Sequence, residues 1–219
     1  EQFNRSLRVK KGLKYFAMSV WPGNVPLKFS FEDWNPDMQK DVQKARDLGN
    51  KAFKISRSII RTPANYILAG IRGTGKTSLA LAIMYSAKKD GLGVMFVSTD
   101  ELCSLVGKQY DLNDIKGRLN DIERAMKEAD VLVLDDFGTE GGMKGNIKPV
   151  RSDMQEMMYR VANARIDFET NRAKSTTIIT TNNSKHELEM MYNEKLIRRL
   201  VPTNPDRQLS FDLKDVRGV

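Results

Sequence analysis

Apolar positions along the chain alternate between helical spacing and short continuous runs. Val42, Ala45, Leu48, Ala52, Phe53 and Ile55 recur at near-helical intervals and predict a helix over about 37–60. Tyr66-Ile67-Leu68 predicts a short strand. Leu79, Ala80, Ile83 and Met84 then share one side of a helix from Lys76 to Lys89, which Gly91 and Gly93 end. Val94-Met95-Phe96-Val97 predicts the next strand, and residues 100–107 and 112–129 read as helices. The second of these is amphipathic through Leu112, Ile115, Leu119, Ile122 and Met126. Val131-Leu132-Val133-Leu134 is apolar throughout, as in a strand buried on both faces. A glycine-rich loop follows (Gly138, Gly141, Gly142, Gly145), then a helix over about 152–166 and a strand from Thr176 to Thr180. Short helices over about 184–200 lead to a last strand over about 208–213. Strands alternating with helices predict an α/β fold with a mostly parallel, doubly wound sheet.

Composition narrows this picture. A length of 219 residues suits one α/β domain with a short appendage. Residues 1–30 are expected to form that appendage, a basic extension punctuated by Trp21-Pro22-Gly23 and Asn24-Val25-Pro26. The single cysteine, Cys103, excludes an internal disulfide framework and a Cys-only zinc site; beside Leu102 and Leu105 it reads as a small apolar residue. No apolar run approaches the roughly 20 residues that span a bilayer, and no basic-then-apolar leader opens the chain, so a soluble cytoplasmic protein is expected, with no membrane partner.

The net charge of +8 is unevenly placed. Residues 1–62 carry 13 basic and 6 acidic side chains, residues 63–140 carry 9 and 12, and residues 141–219 carry 14 and 10. The middle third holds the motifs for nucleotide chemistry, so the positive excess lies outside the part that handles nucleotide phosphate. That distribution suits a second, larger polyanion.

Gly70-Ile71-Arg72-Gly73-Thr74-Gly75-Lys76-Thr77 matches G-x-x-x-x-G-K-[ST] between a predicted strand and a predicted helix. Its glycines let backbone amides converge on phosphate, and the helix N-terminus adds partial positive charge. Gly70, Gly73, Thr74, Gly75, Lys76, Thr77 and Ser78 are the expected ATP/ADP-binding set. Lys76 is placed to reach the β- and γ-phosphates, and the Thr77 hydroxyl to bind Mg²⁺.

The apolar strand 131–134 delivers Asp135 and Asp136 at its C-terminal end. Asp135 is expected to bind Mg²⁺ and Asp136 to orient and deprotonate the attacking water. Glu140 reads as a weaker acid candidate or a solvated loop residue. Thr180-Thr181-Asn182-Asn183 follows the next strand, where Asn182 could hold that water or sense the γ-phosphate, or cap the next helix with its neighbours.

Together these residues resemble AAA+ ATPases, and among them the bacterial and phage replicative helicase loaders of the DnaC/DnaI type. The resemblance rests on Phe31 to Pro36 (FEDWNP), GIRGTGKTSLA at 70–80, LVLDDFGTE at 132–140, ITTNN at 179–183 and EKLIRRL at 194–200, in that order. It implies a P-loop domain over 31–219 with a five-stranded sheet flanked by helices and no separate helical lid. It also implies ATP hydrolysis with Mg²⁺, self-association through the ATP sites, single-stranded DNA and a hexameric replicative helicase as partners. Arg199, with Arg198 as the fallback, matches an arginine finger that reaches the neighbouring subunit's ATP. Arg217 matches a late arginine at the γ-phosphate. Lys108 and Tyr110 match a DNA-contacting helix segment, where a cation meets the backbone and a ring stacks on a base.

Two features depart from the family's pattern. The loop over 138–150, with Lys144, Lys148 and Arg151, is longer and is expected to be a flexible basic element near the nucleotide. No zinc module is recognisable in residues 1–28. The expected function is loading of a ring helicase onto single-stranded DNA. The alternatives are an accessory ATPase for transposition, a P-loop small-molecule kinase, or a nucleotide-gated binding module.

Overall fold

Pro36 opens a single 3-10 turn, Pro36–Met38, capped by Asn35, and the chain re-enters helix at Asp41, whose carboxylate accepts from the Lys44 N–H at 2.9 Å. Helix α1 (Val42–Ser58) therefore starts later than the apolar spacing suggests, because the Asp41 cap sets its first turn. In this computed structural model, residues 12–110, 113–143 and 146–216 are described.

The next elements alternate strand and helix, with two helices between β2 and β3: β1 (Asn65–Gly70), α2 (Lys76–Lys89), β2 (Val94–Ser98), α3 (Thr99–Lys108), α4 (Asn113–Glu128) and β3 (Val131–Asp135). Then come α5 (Ser152–Ala164), β4 (Thr176–Thr181), α6 (Lys185–Met191), α7 (Glu194–Leu200) and β5 (Gln208–Phe211). The five strands pair in the order β2-β3-β4-β1-β5, every pair parallel. Val20 adds a short parallel bridge outside β2 through Val20 N to Phe96 O and Ser98 N to Val20 O, both 2.8 Å.

The apolar strands are sandwiched, and the alternation of their side chains divides the core in two. Leu132, Leu134, Met95 and Val97 face the helices α3 to α7, packing on Leu102, Ile122, Met126, Met158 and Leu196. Val131, Val133, Val94 and Phe96 face α1 and α2, with Ala45, Leu48, Leu79, Ile83 and Met84. A parallel sheet covered on both faces requires this arrangement, since its strands have no solvated side.

Helix α5 stops at Ala164, before the expected residue 166, because Arg165 turns inward. Its guanidinium donates to Met126 O and Ala129 O at the end of α4, and to Thr177 Oγ1 and Thr176 O on β4. Burial pushes its pKa down to about 9. The bonds tie α4 to the start of the adjacent strand. Two small antiparallel ladders that the apolar pattern did not predict follow local turns: Gly142–Met143 with Asn146–Ile147, and Ile166–Asp167 with Arg172–Ala173. Among the described residues no helix is long and apolar enough to cross a membrane.

Candidate active site

The C-terminal ends of β1, β3 and β4 lie side by side, so the loops that leave them converge. β1 ends at Gly70, where a Cβ would stand 2.3 Å from Phe211 O of β5. Gly75, with φ +92°, begins α2, and a side chain there would meet the Trp34 ring at 2.5 Å. Trp34 is fixed by donation from Nε1 to Ala45 O at 3.0 Å, so α1 and the segment before it brace the phosphate loop. Sequence reasoning placed Trp34 only in the lead-in; the absence of side chains at Gly49 and Gly75, both against its ring, is the trace it leaves in the sequence.

The loop opens onto a cavity of about 430 Å³ lined by Gly73, Gly75, Lys76, Thr77, Ser78, Asp136 and Asn182, together with Arg72 and Val216. Lys76 is buried and its Nζ donates to Ile71 O at 2.6 Å. Thr74 is buried too, and its hydroxyl is turned into the loop, onto Ile71 O at 2.9 Å. Its side chain is therefore spent within the loop and does not line the cavity.

Asp135 lies buried at the end of β3, with Oδ1 accepting from Thr77 Oγ1 at 2.8 Å and Thr180 Oγ1 at 2.6 Å. Burial raises its pKa to about 6, the neighbouring Asp136 charge adds to this, and the two hydroxyls and Lys76 oppose it. A divalent cation would satisfy this carboxylate. Thr77 Oγ1 and Asp135 Oδ1 are hard oxygens whose 2.8 Å separation matches the roughly 2.9 Å edge of a magnesium octahedron. The Thr77 hydroxyl can donate to Asp135 while presenting a lone pair to the ion.

Asp136 is exposed and adopts φ +53°, a left-handed backbone rare outside glycine. The turn is held by Asp136 N to Thr180 Oγ1 at 2.9 Å, Phe137 N to Thr180 O at 2.9 Å and Thr139 N to Asp136 O at 3.0 Å. Thr180 thus serves both acids, a role sequence reasoning missed. Asn182 Nδ2 lies 3.5 Å from Asp136 Oδ1, and Asn182 Oδ1 is buried with no partner. The amide nitrogen thus faces the acid, and the amide oxygen is enclosed.

Glu140 is not a solvated loop residue. It turns inward behind the acidic pair, where Thr99 Oγ1 donates to it at 2.9 Å and Gly138 N at 3.1 Å, and Tyr192 Oη donates to its other oxygen. Burial pushes its carboxyl up to about 7 despite these bonds. The loop over 138–150 is correspondingly ordered where it is described: Thr139–Gly141 is a 3-10 turn, Val150 N bonds Met191 O, and Arg151 pairs with Asp153 at 2.6 Å. Val150 thus meets the end of α6, and Lys144 lies outside the described residues.

Three other expectations fall elsewhere. Arg199 sits at the opposite end of the sheet, its carbonyl held by Asn65 Nδ2 at 2.7 Å where β1 begins. There it shares a cleft of about 650 Å³ with Arg61, Arg172, Arg198 and Arg207, whose lining holds no carboxylate among the described residues, although Arg198 pairs with Glu194 at 2.6 Å. Its guanidinium stacks 4.7 Å from the Tyr159 ring and 5.7 Å from Phe168, and Nη1 is buried without an acceptor. Lys108 ends α3 and Tyr110 lies two residues beyond it, both exposed, with Tyr110 Oη donating to Asp153 at 3.3 Å. Arg217 lies outside the described residues; Val216 just before it bonds Gly73 O at 3.0 Å.

Comparison with known proteins agrees with this geometry. The sequence pattern of the family described as IstB-like ATP binding protein matches residues 13–200. The uncharacterized protein YdaV of Escherichia coli K12 is 26% identical over 98% of this chain and 76% of its own length. An insertion sequence IS21 protein of Pseudomonas aeruginosa, named for ATP binding, is 27% identical over 72% of this chain and 50% of its own. The fold is shared with the crystal structure of DnaI (TM-score 0.60, 18% identity, 89% of this chain and 95% of that one). It is likewise shared with the DnaC helicase loader (0.57, 22%, 82% and 97%). AMPPCP-bound DnaA from Aquifex aeolicus is similar over 80% of this chain and 49% of that one, at TM-score 0.59 and 19% identity. The fold is thus that of the P-loop AAA+ ATPases, and the chain belongs to the family of IstB-like ATP binding proteins.

Proposed function

We propose that this chain is a magnesium-dependent ATPase that self-associates through its nucleotide sites and loads a replicative ring helicase onto single-stranded DNA. The observation that carries the enzymatic half is the one cavity in which Lys76, Thr77, Asp136 and Asn182 meet, with Asp135 bonded to Thr77 behind them. A bare nucleotide store has no use for a second acid beside the one that would hold the cation.

In this reading Lys76 exchanges Ile71 O for the β- and γ-phosphate oxygens, and the α2 amides hold the phosphates. Thr77 and Asp135 would hold Mg²⁺, which neutralises charge on the phosphate oxygens when bound. Asp136 takes a proton from water as the water oxygen bonds to the γ-phosphorus; the bond from that phosphorus to the ADP oxygen breaks. Asn182, whose amide lies beside Asp136, would help fix that water's line of approach. Arg199, with the arginine-lined cleft around it, meets the γ-phosphate held by a second copy, where a permanent cation stabilises the spreading negative charge. Arg217 would act at the γ-phosphate from the same chain, and Lys108 and Tyr110 would touch single-stranded DNA.

The loader half is supported by similarity of fold to DnaC and DnaI over nearly their whole crystallised lengths. Retention of a hexameric replicative helicase with ATP, its release with ADP and stimulated loading onto single-stranded DNA are the expected results. Failure of both binding and loading would end this reading. The second reading, an accessory ATPase of transposition, is favoured by the IS21 relative and would show itself as filaments on duplex DNA that engage a transposase.

A further inference from the structure

Glu140 lies five residues beyond Asp135, yet it faces away from the nucleotide cavity, and both its oxygens are engaged. It cannot be the base that meets water. A carboxyl group in this partly buried position is costly, and a neutral side chain would fill the space more cheaply. Its three partners come from three different elements. Thr99 is the first residue of α3, and its Oγ1 also lies 3.2 Å from Asp135 O. Gly138 N belongs to the turn that carries Asp136. Tyr192 sits in the α6–α7 junction, with its ring stacked on Phe137 at 4.6 Å and an interplanar angle of 6°.

The strained point of that turn is Asp136, at φ +53°. A left-handed aspartate stands at a cost and persists only where its neighbours over-determine it. Thr180 holds the entry to the turn through the Asp136 N–H. On the exit side, Gly138 N to Glu140 is the side-chain bond, and Tyr192 and Thr99 hold Glu140 in place. Asn183, which follows Asn182, also packs against Gly138, so the turn and the Asn182 segment share this support.

We infer that Glu140 is a positioning residue for hydrolysis: it anchors the turn that aims Asp136 and ties that turn to α3 and to the α6–α7 junction. The inference rests on the assignment of Asp136 as the group that activates water. Removing the anchor frees Gly138 N–H and lets Asp136 relax toward an ordinary backbone conformation. A displacement of this kind, about 1 Å, is enough to lower a rate by one to two orders of magnitude while binding persists.

The test is the steady-state ATPase of the full chain beside the equilibrium affinity for a non-hydrolysable ATP analogue, for Glu140→Ala, Glu140→Gln and Tyr192→Phe. Glu140→Ala is expected to lower kcat by about 10-fold or more with analogue affinity within about twofold. Glu140→Gln keeps the shape and an acceptor for Gly138, and is expected to recover most of the rate. Tyr192→Phe is expected to lose part of it, and carries the test should Glu140→Ala not fold. Unchanged kcat in Glu140→Ala, or in Tyr192→Phe where the former does not fold, would overturn the inference. So would equal losses in Glu140→Ala and Glu140→Gln that track analogue affinity. A wild-type chain without ATPase activity would instead strike at the assignment of Asp136.

Discussion

The two ends of the central sheet are built on opposite principles. At the C-terminal end, Thr77, Asp135, Thr180, Asp136 and Asn182 are bonded to one another at 2.6 to 3.5 Å, and Lys76 is turned onto Ile71 O. At the N-terminal end, five arginines line one cleft, with Arg198 paired to Glu194 beside it at 2.6 Å, and Arg199 is steadied by the Tyr159 and Phe168 rings. The first end gathers the acids and the phosphate loop, with Lys76 and Arg72 in the cavity lining. The second gathers positive charge away from that cavity. In the proposed function, a head-to-tail contact between copies would bring the arginine cleft of one to the nucleotide cavity of the next.

The largest effect should come from breaking the first end. Lys76→Ala is expected to reduce ATP binding or hydrolysis by at least about 100-fold, seen in analogue binding and steady-state turnover. Breaking the second end should separate binding from chemistry. Arg199→Ala is expected to leave ATP affinity unchanged and to slow hydrolysis by about 10³-fold, only at concentrations where the chain self-associates. Loss of folding in place of that kinetic effect would withdraw Arg199 from the role.

A smaller effect concerns pH. Glu140 and Asp135 both have pKa values raised by burial, to about 7 and about 6, from ordinary values of 4.5 and 3.8. The folded chain therefore binds more protons than the unfolded chain across this window, so their contribution to stability is present at low pH and is lost as pH rises. Thermal unfolding of the metal-free chain should show a midpoint that falls between about pH 4 and about pH 7, with a shallower slope in Glu140→Gln. The smallest effect is expected at α3, where Lys108→Ala with Tyr110→Ala should weaken single-stranded DNA by about 1–3 kcal/mol in a titration, without altering basal ATPase.

Much of the nucleotide end was legible because its rules are local. A strand, a glycine loop and a helix start are written in consecutive residues, and Asp135-Asp136 ends a run apolar enough to be a buried strand. Helix α2 keeps the bounds its spacing predicts. Strand order was not legible, since β4 enters between β3 and β1 through contacts far apart in sequence. The fate of Glu140 was hidden for the same reason: in Gly-Thr-Glu-Gly-Gly it looks solvated, and only the approach of Thr99 and Tyr192 buries it. Arg165 misled in the other direction, a charge that ends a helix by entering the core. Spacing put Arg199 on a short helix, but only the sheet's direction shows that this helix ends far from its own phosphate loop.

The central claim is that an ATP site on one copy is completed by an arginine on another. It is tested most directly by mixing Lys76→Ala chains, which keep Arg199, with Arg199→Ala chains, which keep the phosphate loop, and following ATP hydrolysis against the mixing ratio. The account predicts that two nearly inactive proteins regain activity on mixing, with a maximum at intermediate ratios. A mixture no more active than the sum of its parts, from chains shown to associate, would contradict it.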